Sequence, residues 1–199
     1  MFVKICGLSS ELGLAEASCA DAVGFVFAPS SRQVSPAVAQ TVARQLPDTV
    51  KRVAVFHRAS ESEIAEVCSV FSADWIQVEP GPAIPKGKRL LPVFHSHSEV
   101  FSEIEQWVKE HPGDPVLLES SGRGGRGVKA DWSVAARLVQ EGVKLILAGG
   151  LNADNLHEAF ASVRPFGVDV SSGVELSKGI KDPGRIRDFI TTARSVGRQ

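Results

Sequence analysis

No apolar run in this chain reaches the length that crosses a bilayer. The opening residues, Met1-Phe2-Val3-Lys4-Ile5-Cys6, are too short and too soon interrupted for a signal peptide, and they read as a strand. Cysteine is scarce: Cys6, Cys19 and Cys68 are an odd number without metal-ligand spacing. That excludes a disulfide framework and points to a reducing, cytoplasmic setting. His95 and His97 form no HxxxH or HxxH pair with a nearby carboxylate, so no metal site is expected from spacing. Net charge is also lacking, at −1. Without a global field of either sign, neither nucleic acid nor an anionic membrane is an expected partner, and any bound anion must be held by a local site.

What is present is regular alternation. Apolar runs of strand length stand at Phe2–Cys6, Val23–Phe27, Arg52–Phe56, Trp75–Val78, Leu90–Phe94, Pro115–Leu118, Val143–Leu147 and Val168–Val170. They are continuous rather than alternating, which suits parallel strands buried on both faces. Helical patterns lie between them, at Pro36–Leu46, Glu61–Phe71, Ser98–Glu110, Trp132–Gln140, Ala153–Ala161 and Pro183–Ser195. Ser35, Asp131, Asn152 and Asp182 are the candidate caps. The Pro/Gly-rich segment Pro80–Lys88 predicts a short or missing helix after the fourth strand. Eight strands with intervening helices imply a small α/β (β/α)8 TIM barrel, a single domain over residues 1–199. An open doubly wound sheet is the alternative; it is disfavoured because no GxGxxG follows the first strand.

In such a barrel, chemistry sits at the C-terminal ends of the strands. Gly149 and Gly150 follow the seventh strand, and Ser171, Ser172 and Gly173 follow the eighth. Small residues let main-chain N–H groups approach a ligand, and a following helix adds partial positive charge, so the two loops together predict a phosphate cradle. Read alone, either loop is also just a tight turn. Cys6 ends the first strand: a buried structural cysteine, or a base whose pKa the nearby Lys4 lowers. Glu119 ends the sixth, as a general acid/base or half of a structural ion pair. Asp169 on the eighth strand is expected to pair with Lys4 on the neighbouring first. Arg32, in the loop after the second strand, is either solvated or a bidentate clamp on a substrate carboxylate. The glycine-rich loop Ser120–Lys129 is a candidate lid or substrate contact, with Arg123 and Arg126 facing either the anion or solvent.

These segments together resemble the phosphoribosylanthranilate isomerases of tryptophan biosynthesis over nearly the whole chain. The resemblance is carried by Val3-Lys4-Ile5-Cys6-Gly7-Leu8, by Ser31-Arg32-Gln33-Val34-Ser35-Pro36, and by Gly124-Gly125-Arg126-Gly127 with Asp131-Trp132. Leu147-Ala148-Gly149-Gly150-Leu151 and Val168-Asp169-Val170-Ser171-Ser172-Gly173-Val174-Glu175 complete it. It implies an Amadori rearrangement with Cys6 as general base and Glu119 as general acid. It also implies substrate contacts at Lys4, Arg32, Gly125 and Asp169, and phosphate on Gly149, Gly150, Ser172 and Gly173. No cofactor is implied, the partner is a small phosphoribosyl substrate, and the chain is a monomer or homodimer. Two positions depart from the family pattern. Glu119 stands where aspartate is usual, and Glu79 in Gln77-Val78-Glu79-Pro80-Gly81 stands where histidine is usual. They keep two alternatives open: a histidine-pathway aminoaldose isomerase activity, alone or as a second one, and a phosphosugar-binding barrel without turnover.

Overall fold

The computed structural model describes residues 1–119 and 132–198. Eight parallel strands close into a barrel in chain order: β1 (Phe2–Cys6), β2 (Ala22–Val26), β3 (Lys51–Val55), β4 (Trp75–Val78), β5 (Arg89–His95), β6 (Val116–Glu119), β7 (Leu145–Ala148) and β8 (Gly167–Val170). Closure is made by β1 against β8, with Lys4 directly opposite Asp169. The helices are α1 (Leu14–Ala17), α2 (Pro36–Ala43), α3 (Glu61–Val70), α4 (Val100–Glu110), α5 (Ser133–Gln140), α6 (Leu156–Val163) and α7 (Pro183–Val196). No helix separates β4 from β5, as the Pro/Gly-rich segment predicts. Among the described residues, no helix is long and apolar enough to cross a membrane.

Strand alternation divides the core. On β1, Val3 and Ile5 point outward into the large layer between strands and helices. Cys6 joins Ala22, Val53 and Val55 in an inner cluster, and Leu91, Val93, Leu117, Ile146 and Ala148 form a second. Phe2 stacks on Trp75 at 5.6 Å between both inner clusters. The polar strand-end residues therefore sit at the opposite, C-terminal mouth.

Local sequence explains most helix starts. The Ser35 hydroxyl accepts from Val38 N–H with Pro36 at the first position, and the Asp182 carboxylate accepts from Arg185 N–H with Pro183 behind it. Asn152 is a correction. The helix begins at Leu156, because the Asn152 side chain accepts from the N–H groups of Asp154 (2.9 Å) and Asn155 (3.1 Å) and folds a turn instead. Asn155 in turn donates to Gly150 O at 2.9 Å, which ties the loop after β7 to the start of α6. Asp131 and the segment 120–130, with Gly125, Arg123 and Arg126, lie outside the described residues.

Candidate active site

The strand ends bring Cys6, Arg32, Gln77, Glu119, Gly149, Gly150, Asp169, Ser171 and Ser172 around one cavity of about 240 Å3 at the barrel mouth. Beneath it, Lys4 is fully buried and donates to Asp169 Oδ1 at 2.8 Å, the pair expected from the closure of β8 on β1. Burial alone would push Lys4 down, but Asp169, and behind it Cys6, outweigh this and raise it. Removing one member of such a buried pair costs about 3–5 kcal/mol. Lys4 variants therefore report on stability before they report on substrate contact. Gly24 makes room for this chemistry: a Cβ there would lie 3.1 Å from Cys6 Sγ and 3.2 Å from Lys4 Nζ.

The thiol differs from its expected state. Burial pushes Cys6 up; Lys4 pulls it back without prevailing, and Asp169 adds to the rise. The sequence places the cation correctly. It does not reveal that Asp169 largely cancels that cation, or that the thiol is only 7% exposed. In the free protein Cys6 is a thiol.

Arg32 also has a partner that its sequence position does not announce. Its Nε and Nη2 donate to the two oxygens of Glu175 at 2.6 and 2.9 Å. Glu175 is buried, just beyond β8, and accepts from Lys181 Nζ at 3.0 Å and Gly179 N–H at 3.1 Å as well. Burial would raise this carboxylate, but Arg32, Gly179 and Lys181 outweigh it and hold it at about 2. The guanidinium is thus fixed in orientation, with one bidentate edge occupied by protein.

The loops after β7 and β8 are close-packed. Gly149 and Gly150 take φ of 90° and 68°, in the region that favours glycine. Gly173 lies where the loops meet: a Cβ there would sit 1.9 Å from Leu151 O, so the loops after β7 and β8 come together only across a glycine.

Glu119 meets His95 at the mouth, Oε2 to Nδ1 at 3.3 Å. The contact lowers Glu119 and raises His95, in both cases with burial working the other way. His95 Nε2 faces Glu79 Oε1 at 3.4 Å, and His57 Nδ1 faces the same oxygen at 2.5 Å. Sequence spacing gave no sign of this cluster because its members come from three different strand ends. Gln77 was also missed: it is 7% exposed, and its Oε1 has no hydrogen-bond partner among the described residues. Its place on β4 two residues after the inward-facing Trp75, on the same strand face, was the available signal.

The sequence profile of the N-(5'phosphoribosyl)anthranilate (PRA) isomerase family matches residues 3–192. The chain belongs to this family. The N-(5'-phosphoribosyl)anthranilate isomerase of Oceanobacillus iheyensis is 38% identical, covering 98% of this chain and 97% of that protein. The Thermotoga neapolitana isomerase is also 38% identical, covering 98% of each. Among solved structures, the phosphoribosylanthranilate isomerase of Thermotoga maritima superposes with a TM-score of 0.83 at 35% identity, covering 98% of this chain and 99% of that one. A phosphoribosylanthranilate isomerase solved with reduced 1-(o-carboxyphenylamino)-1-deoxyribulose 5-phosphate superposes with a TM-score of 0.80 at 34% identity, over 98% of this chain and 99% of that chain. This chain therefore has the isomerase fold.

Proposed function

We propose that this chain catalyses the Amadori rearrangement of N-(5'-phosphoribosyl)anthranilate, with Glu119 as acid and Cys6 as base. The observation that carries this reading is convergence: a thiol from β1, a carboxylate from β6 and the glycine–serine loops after β7 and β8 line one cavity. The reaction needs an acid at the ring oxygen, to open the ribose to a Schiff base, and a base at C2, to give an enolamine that tautomerises to the ketose. The substrate's own nitrogen supplies the iminium, so no external electron sink is required. Glu119 delivers the proton; because the His95 contact lowers its carboxyl in the free protein, it takes that proton from His95, which the same contact raises. The iminium charge that appears on ring opening acts against the burial that raises Cys6, and so favours the thiolate when it is needed.

Phosphate is held by main-chain N–H groups of Gly149, Gly150, Ser172 and Gly173. Sulfate soaked into crystals is expected between Gly150 and Ser172, and Gly173→Asp should abolish it by adding bulk against Leu151 and like charge. Density elsewhere and none at these loops contradicts the cradle. Arg32 holds the anthranilate carboxylate through the Nη1 side left free of Glu175, with Asp169 and Gln77 below. Arg32→Ala is expected to raise KM more than it lowers kcat, because the carboxylate is held in ground and transition states alike. An unchanged KM would remove Arg32 from the substrate contacts.

The test of the reading is turnover by the purified chain of phosphoribosylanthranilate, followed as loss of its fluorescence, beside the histidine-pathway aminoaldose. Consumption of the first is expected. Consumption of the second alone, or binding of a product analogue with no turnover of either, would overturn it.

A further inference from the structure

The mouth of the barrel carries a second group of ligand-type side chains beside the isomerase cavity. His57 follows β3, Glu79 follows β4 and His95 ends β5, so three adjacent strand ends converge on one point. One donor atom from each lies within 4.8 Å of the others. Two of the three are held from behind. Glu79 Oε2 accepts from Arg58 N–H at 2.8 Å, which aims Oε1 at both imidazoles. His95 turns Nε2 to Glu79 and Nδ1 to Glu119. A carboxylate behind a histidine whose other nitrogen faces a metal position is the usual outer shell of a zinc site.

We propose that His57, Glu79 and His95 form a zinc site at the rim of the barrel, and that its occupancy inhibits the isomerase by capturing Glu119. Two imidazoles and one carboxylate are a known zinc ligand set, leaving a fourth position to water. Around a tetrahedral zinc with bonds of about 2.0–2.1 Å, neighbouring donors stand about 3.3 Å apart. His95 and Glu79 are already at 3.4 Å, and His57, at 2.5 Å from Glu79 and within 4.8 Å of His95, has to shift to reach this spacing from both. Its side chain is 58% exposed and free to do so, and the same exposure gives the ion its entry. Zinc on His95 Nε2 leaves the ring proton on Nδ1, where it is donated to Glu119. Zinc also pins the ring, so the contact that otherwise moves with Glu119 now holds its carboxylate at His95, away from the ring oxygen it must protonate. The inhibition rests on Glu119 being the acid; the ligand set does not.

Zinc chloride titrated calorimetrically into the metal-free chain is expected to bind at one equivalent, and to bind about tenfold or more weakly to His57→Ala and Glu79→Gln. Both variants keep all three cysteines, so thiol binding would survive in them and be recognised. In the turnover assay, one equivalent of zinc should stop the wild type, and EDTA should restore it. His57→Ala should keep the metal-free rate and ignore zinc. Absence of stoichiometric binding, wild-type affinity in either variant, or binding without inhibition would overturn the proposal. A chain inactive even in EDTA would instead fail the isomerase reading, and the zinc titration would still decide the ligand set.

Discussion

Cys6→Ser is expected to lower kcat by about 10²–10⁴-fold, the range of a general base, while the barrel stays folded. Oxygen and sulfur differ little in size, the apolar neighbours Ala22, Val53 and Val55 accommodate either, and a hydroxyl can keep the hydrogen bond that Lys4 makes to Cys6. What changes is acidity: a serine hydroxyl is not ionised near neutral pH even beside Lys4. The same chemistry fixes a pH dependence in the wild type. Burial raises the Cys6 thiol in the free protein, so the reactive thiolate is the minority form at neutral pH. kcat/KM should therefore climb with pH and level off only above the ordinary thiol range, and Cys6→Ser should lose that rise. A serine variant with near-wild-type kcat would rule Cys6 out as the base.

Glu119→Gln is expected to cost about 10²-fold or more in kcat, because it keeps the shape and removes the transferable proton. Glu119→Asp separates two histories of the site. The glutamate reaches His95 at 3.3 Å, and a shorter side chain gives up that contact together with its reach to the ring oxygen. A misplacement of this order can itself cost about 10²-fold, so the aspartate variant should be slower. Higher activity in Glu119→Asp would mark the glutamate as decay rather than adaptation. Wild-type activity in Glu119→Gln would move the acid elsewhere, with Glu79 and Asp169 next in line.

What the sequence disclosed follows from distance along the chain. Strands buried on both faces announce themselves as continuous apolar runs, so β1 and β4 are found to the residue, and Lys4–Asp169 follows once β8 is closed on β1. Ser35 and Asp182 act on N–H groups three residues away, which is within reach of local reading. Asn152 offered the same local signal and misled, because Asn155 completes the turn with it and the helix starts later. Side chains that meet only through closure were not legible. Glu175 reaches across 143 positions to Arg32, and His57, Glu79 and His95 converge from three strand ends. The direction of the Cys6 shift was missed for a related reason. A nearby lysine is visible in the sequence, but depth of burial, and an aspartate cancelling the lysine's charge, are properties of the closed barrel.

The most direct measurement is a single turnover with protein in excess over phosphoribosylanthranilate, followed by fluorescence and compared with the spontaneous decay of the substrate. Wild type in EDTA should consume the substrate far faster than the blank. The double variant Cys6→Ser/Glu119→Gln should bind it through the phosphate loops and Arg32, yet consume it no faster than the blank. A wild type indistinguishable from the blank, or a double variant that keeps the wild-type rate, would contradict the account.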